Sequence, residues 1–98
     1  MKSGVLVMRK KTFVIKYQTG VHAKIATDLV DEASKYDSDI LIGHRGRKLD
    51  MKSIICVMGL GINYNDEITI QTYGNDESEA IDGIAKYIVD TGLGQLVE

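Results

Sequence analysis

Hydrophobic and polar positions alternate first around Phe13, Ile15 and Tyr17, with Thr12 and Lys16 on the opposite side, which predicts a half-buried strand from Thr12 to Tyr17 that Gly20 ends. From Ala23 to Tyr36 the period changes. Ile25, Ala26, Leu29, Val30, Ala33 and Tyr36 recur at steps of three and four, and Lys24, Asp28, Asp31, Glu32 and Lys35 take the other side, so this segment is an amphipathic helix. Asp39 to Ile42 predicts a second strand. Gly43-His44-Arg45-Gly46 then turns the chain into a short third strand, Arg47-Lys48-Leu49. Ser53 is placed to cap a short helix through Ile54, Ile55, Val57 and Met58, which Gly59 and Gly61 terminate. After a polar turn from Asn63 to Asp66, Ile68, Ile70 and Thr72 alternate with Thr69, Gln71 and Tyr73 in a fourth strand, Glu67 to Tyr73. Gly74-Asn75 breaks it. Asp76 and Glu79 have the spacing of a capping box, and Ala80, Ile81, Ile84, Ala85 and Ile88 form the stripe of a last helix ending near Gly92. Gly83 inside that helix costs up to ~1 kcal/mol relative to alanine, so a close neighbour is expected there.

The order β-α-β-β-α-β-α suits a two-layer α+β fold, in which three helices cover one face of a four-stranded antiparallel sheet and the other face meets water. A length of 98 residues allows one domain, and the absence of proline and low-complexity tracts leaves no linker. A net charge of −2 argues against a general nucleic-acid binder. Cys56 is the only cysteine, so neither an internal disulfide nor a cysteine-based metal site is expected, and no metal ligand set is assigned. Arg9-Lys10-Lys11 follows Val5-Leu6-Val7-Met8 too closely for a signal-peptide core, and no segment approaches the ~20 apolar residues of a membrane span. A cytoplasmic location without membrane insertion is the expectation.

The candidate chemistry lies at Gly20-Val21-His22-Ala23-Lys24-Ile25-Ala26-Thr27, where an imidazole precedes the first turn of a helix. The amides of Ala23, Lys24 and Ile25 have no intrahelical partner and sit at the positive end of the helix dipole, a setting that binds anions. A phosphorylated His22 would supply that anion. The helix terminus and Lys24 disfavour an imidazolium, and a phosphoryl acceptor needs a neutral nitrogen with a free lone pair.

This segment, together with Met51-Lys52-Ser53-Ile54-Ile55-Cys56-Val57-Met58-Gly59-Leu60-Gly61-Ile62, resembles HPr, the histidine-containing phosphocarrier family of the bacterial phosphoenolpyruvate-dependent sugar phosphotransferase system. Ala33-Ser34-Lys35-Tyr36-Asp37 and Gly92-Leu93-Gly94 match it as well. The resemblance implies an open-faced sandwich in which His22 accepts a phosphoryl group on Nδ1 from enzyme I and passes it to sugar-specific IIA proteins or domains. It implies a carrier without a cofactor rather than a free-standing enzyme. Family members usually carry arginine where Lys24 stands and proline where Ile25 stands. Lysine keeps the charge but not the planar fork that holds two phosphate oxygens, and Ile25 restores an amide that proline lacks. Asp28, one turn on, can compete for the Lys24 ammonium.

Lys52-Ser53-Ile54-Ile55 resembles the regulatory site of Gram-positive HPr proteins, where HPr kinase/phosphorylase modifies the serine. The resemblance makes Ile54, Ile55 and Met58 the apolar patch that docks enzyme I and IIA proteins, with Ile55 and Met58 exposed and Val57, Leu60 and Ile62 in the core. A regulatory module controlled through Ser53 and read by a transcription regulator is the alternative function. The resemblance covers an HPr-like domain from 11 to 94. It leaves residues 1–10 as an extension that lengthens the first strand and residues 95–98 as a tail. Strand pairing through that extension makes a monomer or a weak dimer the expected state. Cys56 reads as a packing substitution. His44, Arg45, Arg47 and Lys48 form a basic hairpin tip, most simply a solvated turn, where a small anion or an acidic partner could bind.

Overall fold

The computed structural model describes residues 8–98. Strand β1 spans Arg9–Ile15 and helix α1 Ala23–Ala33, followed by β2 Asp39–His44, β3 Arg47–Asp50 and α2 Ile54–Gly59. Strand β4 then covers Glu67–Tyr73, α3 Glu77–Asp90 and β5 Gly94–Leu96. The strands form one antiparallel sheet in the order β3-β2-β4-β1-β5. The sheet thus has five strands, not the four expected. Phe13 pairs with Leu96 and Val14 with Gln95, and the Thr12 amide donates to the Glu98 carbonyl at 2.7 Å. Three residues are too few to show a period of two, which hid β5 from pattern reading.

The first strand also lies earlier than its apolar alternation suggests. Arg9, Lys10 and Lys11 pair with Thr72, Gln71 and Ile70, so backbone hydrogen bonding extends into a basic run that carries no apolar signal. Tyr17 falls outside β1 and is exposed. Met1 to Val7 lie outside the described residues, and with them most of the segment expected to lengthen the strand and pair with a second chain.

Phe13 and Ile15 of β1, Ile40 and Ile42 of β2, and Ile68 and Ile70 of β4 point to one face and are buried there. Ala26, Leu29 and Ala33 of α1, Val57 of α2, and Ile81, Ile84 and Ile88 of α3 complete the core from the helical layer. Burial of each phenylalanine, isoleucine, leucine or valine among them contributes about 1.5–3 kcal/mol relative to exposure. The other face does not simply meet water. Thr12 and Gln71 point to it and are only 3% exposed. Gln71 stands on the central strand between Leu41 and Lys10, and its Nε2 lies 3.2 Å from Met8 Sδ. Flanking side chains and the residue before β1 therefore shield the middle of the face.

The β2–β3 hairpin turns through Arg45 and Gly46, both at positive φ (50° and 81°), which is the backbone hand that matches strand twist. The start of α3 differs from the expected capping box. Asp76 makes no cap bond with its side chain; its carboxylate accepts from Ser38 Oγ at 2.5 Å, Ser38 N at 2.9 Å and Asp37 N at 3.0 Å. Glu77, not Glu79, satisfies the Gly74 amide, at 3.0 Å. The Asp76 carboxylate is thus spent on tying the segment just before β2 to the start of α3.

The close neighbour expected at Gly83 is Tyr36, whose hydroxyl occupies the space a Cβ would take. Gly83→Ala should lower the urea midpoint by the equivalent of about 1–3 kcal/mol despite better helix propensity, and Tyr36→Phe should recover part of the loss. An unchanged or raised midpoint in Gly83→Ala would refute this packing account.

The Ser38 and Asp37 hydrogen bonds hold the Asp76 carboxyl below its ordinary value of 3.8. A depressed folded pKa contributes stability that is present above the unfolded value and lost as pH falls through the folded one. Asp76→Asn should therefore flatten the fall in thermal midpoint between about pH 5 and pH 2. The same slope in variant and parent would show that Asp76 carries no acid sensitivity.

Candidate functional site

The loop after β1 is drawn tightly onto the segment that follows α2. Gly20 adopts φ +69°, and a Cβ there would lie 2.6 Å from the Ile62 carbonyl oxygen and 2.9 Å from Asn63 Cα. Only glycine suits both the conformation and the space. The next amide, Val21 N, donates to Ile62 O at 2.9 Å, and the Val21 side chain is buried. That anchor delivers His22 to the N-cap of α1 with extended backbone (φ −90°, ψ −174°).

His22 contributes its carbonyl to the helix, accepting from Ala26 N at 2.8 Å, while its imidazole makes no cap hydrogen bond and is exposed. The ring is left for other chemistry. Among the described residues, the amides of Ala23, Lys24 and Ile25 find no acceptor, and the first turn of α1 holds no acidic side chain to occupy them. An anion carried on the imidazole would meet three donors at the positive end of an eleven-residue helix. Ile25 is half-buried against the core, so its side chain anchors the turn while its amide stays available.

Lys24 is directed elsewhere. Its Nζ donates to Asp28 Oδ2 at 3.0 Å, and this hydrogen bond and charge raise its pKa. The lysine side chain is 75% exposed, so the pair is weakly held and the ammonium is free to exchange partners. Tyr17, read from the sequence as an inward strand residue, stands beside His22, with ring centroids 6.2 Å apart and tilted by 54°. The strand stops at Ile15, and the turn closed by Gly20 N on Tyr17 O swings Tyr17 to the surface. The apolar alternation runs straight through that boundary, so it carries no sign of where the strand ends.

In α2, Ser53 occupies the N-cap and its Oγ accepts from Cys56 N at 3.2 Å. Ile54, Ile55 and Met58 are exposed, Ile55 by 81%, whereas Val57, Leu60 and Ile62 are buried. A six-residue helix packed on α1 through one side has no layer to cover the other. Exposed apolar side chains and an exposed imidazole therefore belong to two adjoining helices, joined by the backbone bond from Val21 to Ile62. Ser53 and His22 stand at the starts of different helices and make no hydrogen bond with one another.

The hairpin tip is more ordered than a solvated turn. His44 is buried, with Nε2 2.8 Å from Asp66 Oδ2, and Arg45 Nη2 donates to Asp66 Oδ1 at 3.4 Å. Asp66 also accepts from Asn63 N at 2.9 Å; that backbone bond, the His44 contact and the Arg45 charge hold its carboxyl below the ordinary carboxylate range. Arg47 reaches the Gly59 carbonyl at 3.3 Å. Among the described residues no group of three or more His, Cys, Asp or Glu side chains could hold a metal ion. Among the described residues no helix is long and apolar enough to cross a membrane.

The family model for the PTS HPr component phosphorylation site matches residues 9–90. The histidine-containing phosphocarrier protein of a mycoplasma is 40% identical, with a TM-score of 0.84 over 89% of this chain and 99% of its own. HPr of Bacillus anthracis is 34% identical, with a TM-score of 0.77 over 83% of this chain and 96% of its own. The catabolite repression protein Crh of Bacillus subtilis, seen as a swapped dimer, is 33% identical, with a TM-score of 0.67 over 78% of this chain and 87% of its own. The chain belongs to the HPr phosphocarrier family of the phosphotransferase system.

Proposed function

We propose that this HPr-family protein carries a phosphoryl group on His22, taken from phosphorylated enzyme I and given to IIA proteins or domains. The observation that carries the reading is an exposed imidazole, unused as a cap, ahead of the three unpartnered amides of Ala23, Lys24 and Ile25. A lone pair on the neutral ring attacks the donor phosphorus, and the new P–N bond forms as the bond from phosphorus to the donor breaks. The amides then face the added negative charge and offer charge-assisted hydrogen bonds without any rearrangement of the helix. They do not neutralise it fully, so the group stays transferable.

Lys24 supplies the mobile part of the site. With Asp28 as its partner in the unphosphorylated protein, the ammonium is parked one turn away, and the phosphoryl dianion competes with Asp28 for it. A lysine is a point charge on a flexible stem, so exchange between two anions needs no fixed geometry, unlike the planar fork of an arginine. Ile54, Ile55 and Met58 serve as the adaptable apolar surface on which donor and acceptor proteins dock in turn.

A second reading rests on Ser53, whose hydroxyl lies at a helix start beside that docking surface. Phosphate at this position places charge next to Ile54 without melting α2, and so weakens apolar docking while leaving the fold intact. Control of this kind, through HPr kinase/phosphorylase and a transcription regulator, fits the likeness to a catabolite repression protein.

Incubation with phosphoenolpyruvate and the enzyme I of the same organism should give one acid-labile phosphate per chain, absent in His22→Ala. Failure of the parent protein to label, or full labelling of His22→Ala, ends the carrier proposal. Asp28→Asn should release Lys24 toward the phosphoryl group and slow its loss to a IIA acceptor several-fold; an unaltered rate would show that the Lys24–Asp28 pair does not compete. Incubation with ATP and HPr kinase should label the parent but not Ser53→Ala, and label retained in Ser53→Ala would remove the second reading.

A further inference from the structure

The face of the sheet opposite the helices holds a hollow of about 440 Å³ near the β2–β3 hairpin. Its floor follows from the register. Lys48 of β3, Gly43 of β2, Thr69 of β4 and Thr12 of β1 form one row across the four strands. The neighbouring row on the same face runs Asp50, Leu41, Gln71, Lys10. Ile42, Ile68, Ile70 and Phe13, at the alternate positions, are buried on the helical side.

At the middle of the first row Gly43 carries no side chain. Thr69 Oγ1 occupies the place its Cβ would take, and the nearest atom of the Lys48 stem in that direction is Cγ, 3.6 Å from it. Lys10 and Lys48 stand at the two sides. Their strands are separated by β2 and β4 and their rows by two residues, so their backbones lie about 16 Å apart at the usual strand spacing and rise, a gap that two lysine stems and a phosphate between them can span. Among the described residues neither lysine makes an ion pair.

The charge around the hollow has one sign in excess. Lys10, Arg45, Arg47 and Lys48 line it, against Asp66 and Glu67. Asp66 already takes hydrogen bonds from the Asn63 amide, His44 and Arg45, so it has little capacity left to neutralise the lysines. This concentration occurs in a chain whose net charge is −2. The hollow is shallow and open to solvent, large enough for a small ligand, and the threonine hydroxyl adds a neutral donor to the ammonium groups.

We propose that the hollow between Lys10 and Lys48, floored by Gly43 and Thr69, binds a small phosphorylated compound. The site is separate from the start of α1: it lies across the sheet, uses different residues and does not depend on His22 being a phosphoryl carrier. Phosphate is the favoured anion because its several oxygens accept from two ammoniums and one hydroxyl at once.

The test is an amide chemical-shift titration of the full chain at fixed ionic strength, with sodium pyrophosphate in one arm and glycerol 3-phosphate in another. Saturable shifts at Gly43, Lys48 and Thr69 are expected, and the Lys10→Ala/Lys48→Ala double variant should bind roughly tenfold more weakly while its core resonances stay in place. Stronger binding of pyrophosphate identifies a ligand with two phosphate groups; stronger binding of glycerol 3-phosphate identifies a monoester. Linear shifts without saturation, or equal affinity in the double variant, overturn the proposal. So do shifts confined to Ala23, Lys24 and Ile25, which place the anion at α1. Displacement of pyrophosphate by a short oligo-glutamate peptide of higher affinity also overturns it, because the surface is then one for acidic protein segments. Lys48→Glu checks the result with a single substitution and should weaken binding further than Lys48→Ala.

Discussion

The close approach of Gly20 to the Ile62–Asn63 backbone is the constraint on which the functional end of the molecule depends. Without it the loop after β1 could not lie against the segment after α2, and His22 would not be set at the start of α1. The same segment holds its other neighbours through backbone groups. Asn65 N donates to Ile15 O at 2.7 Å, and Ile15 N to Asp66 O at 2.9 Å, which locks it to the end of β1. Asp66 then reaches the hairpin through His44 and Arg45. Five consecutive residues, Ile62 to Asp66, thereby connect β1, α1, α2 and the β2–β3 turn. The backbone bonds to Val21 and Ile15 do not depend on side-chain identity, whereas the link to the hairpin rests on the Asp66 carboxylate and the approach of the loop on Gly20.

How far the sequence reveals this arrangement depends on what each feature needs. The helices and the three longer strands are legible because each buries a stripe with its own period, as Leu29 and Ala33 do in α1 or Ile68 and Ile70 in β4. His22, Lys24 and Ser53 are legible because a motif with glycines and a cap residue specifies a helix start. Where tertiary pairing overrides local pattern, the reading slips. Arg9 to Lys11 join β1 because β4 offers partners, and Gly94 to Leu96 form β5 because β1 has a free edge. Neither fact is written in hydrophobicity. Asp76 shows the same limit at a single residue: the spacing to Glu79 matches a capping box, yet Ser38 and Asp37 compete for the carboxylate and win. Those partners are distant in sequence, so no local window contains them.

The two proposed anion sites use different means on the two faces of one sheet. At α1 the donors are amides fixed by helix geometry, with no conformational entropy left to lose, and the lysine that adds charge is held in reserve by Asp28. At the hairpin the positive charge comes from long side chains on separate strands, and the sheet supplies only their spacing and a floor. The first arrangement favours a covalently delivered group whose position is set by His22. The second favours a ligand that arrives from solution and selects the side-chain conformations on binding.

The substitution of lysine and isoleucine for the family's usual arginine and proline acquires a physical meaning in this setting. Arginine grips two oxygens and loses little freedom in doing so, whereas under the proposed transfer Lys24 would surrender both its stem entropy and its bond to Asp28 to serve a phosphoryl group. Ile25 shifts the balance the other way, because its amide adds a donor that costs nothing to orient. Stabilisation is thus moved from a flexible cation toward the rigid backbone. A site built in this way depends less on the strength of one ion pair and more on the integrity of the first helical turn. That turn depends in turn on Ile25 packing against the core and on Gly20 meeting Ile62. Under the proposed carrier role, the chemistry of the phosphoryl group and the packing of the loop become parts of one requirement, and a change that loosens the loop would act on transfer without touching the imidazole.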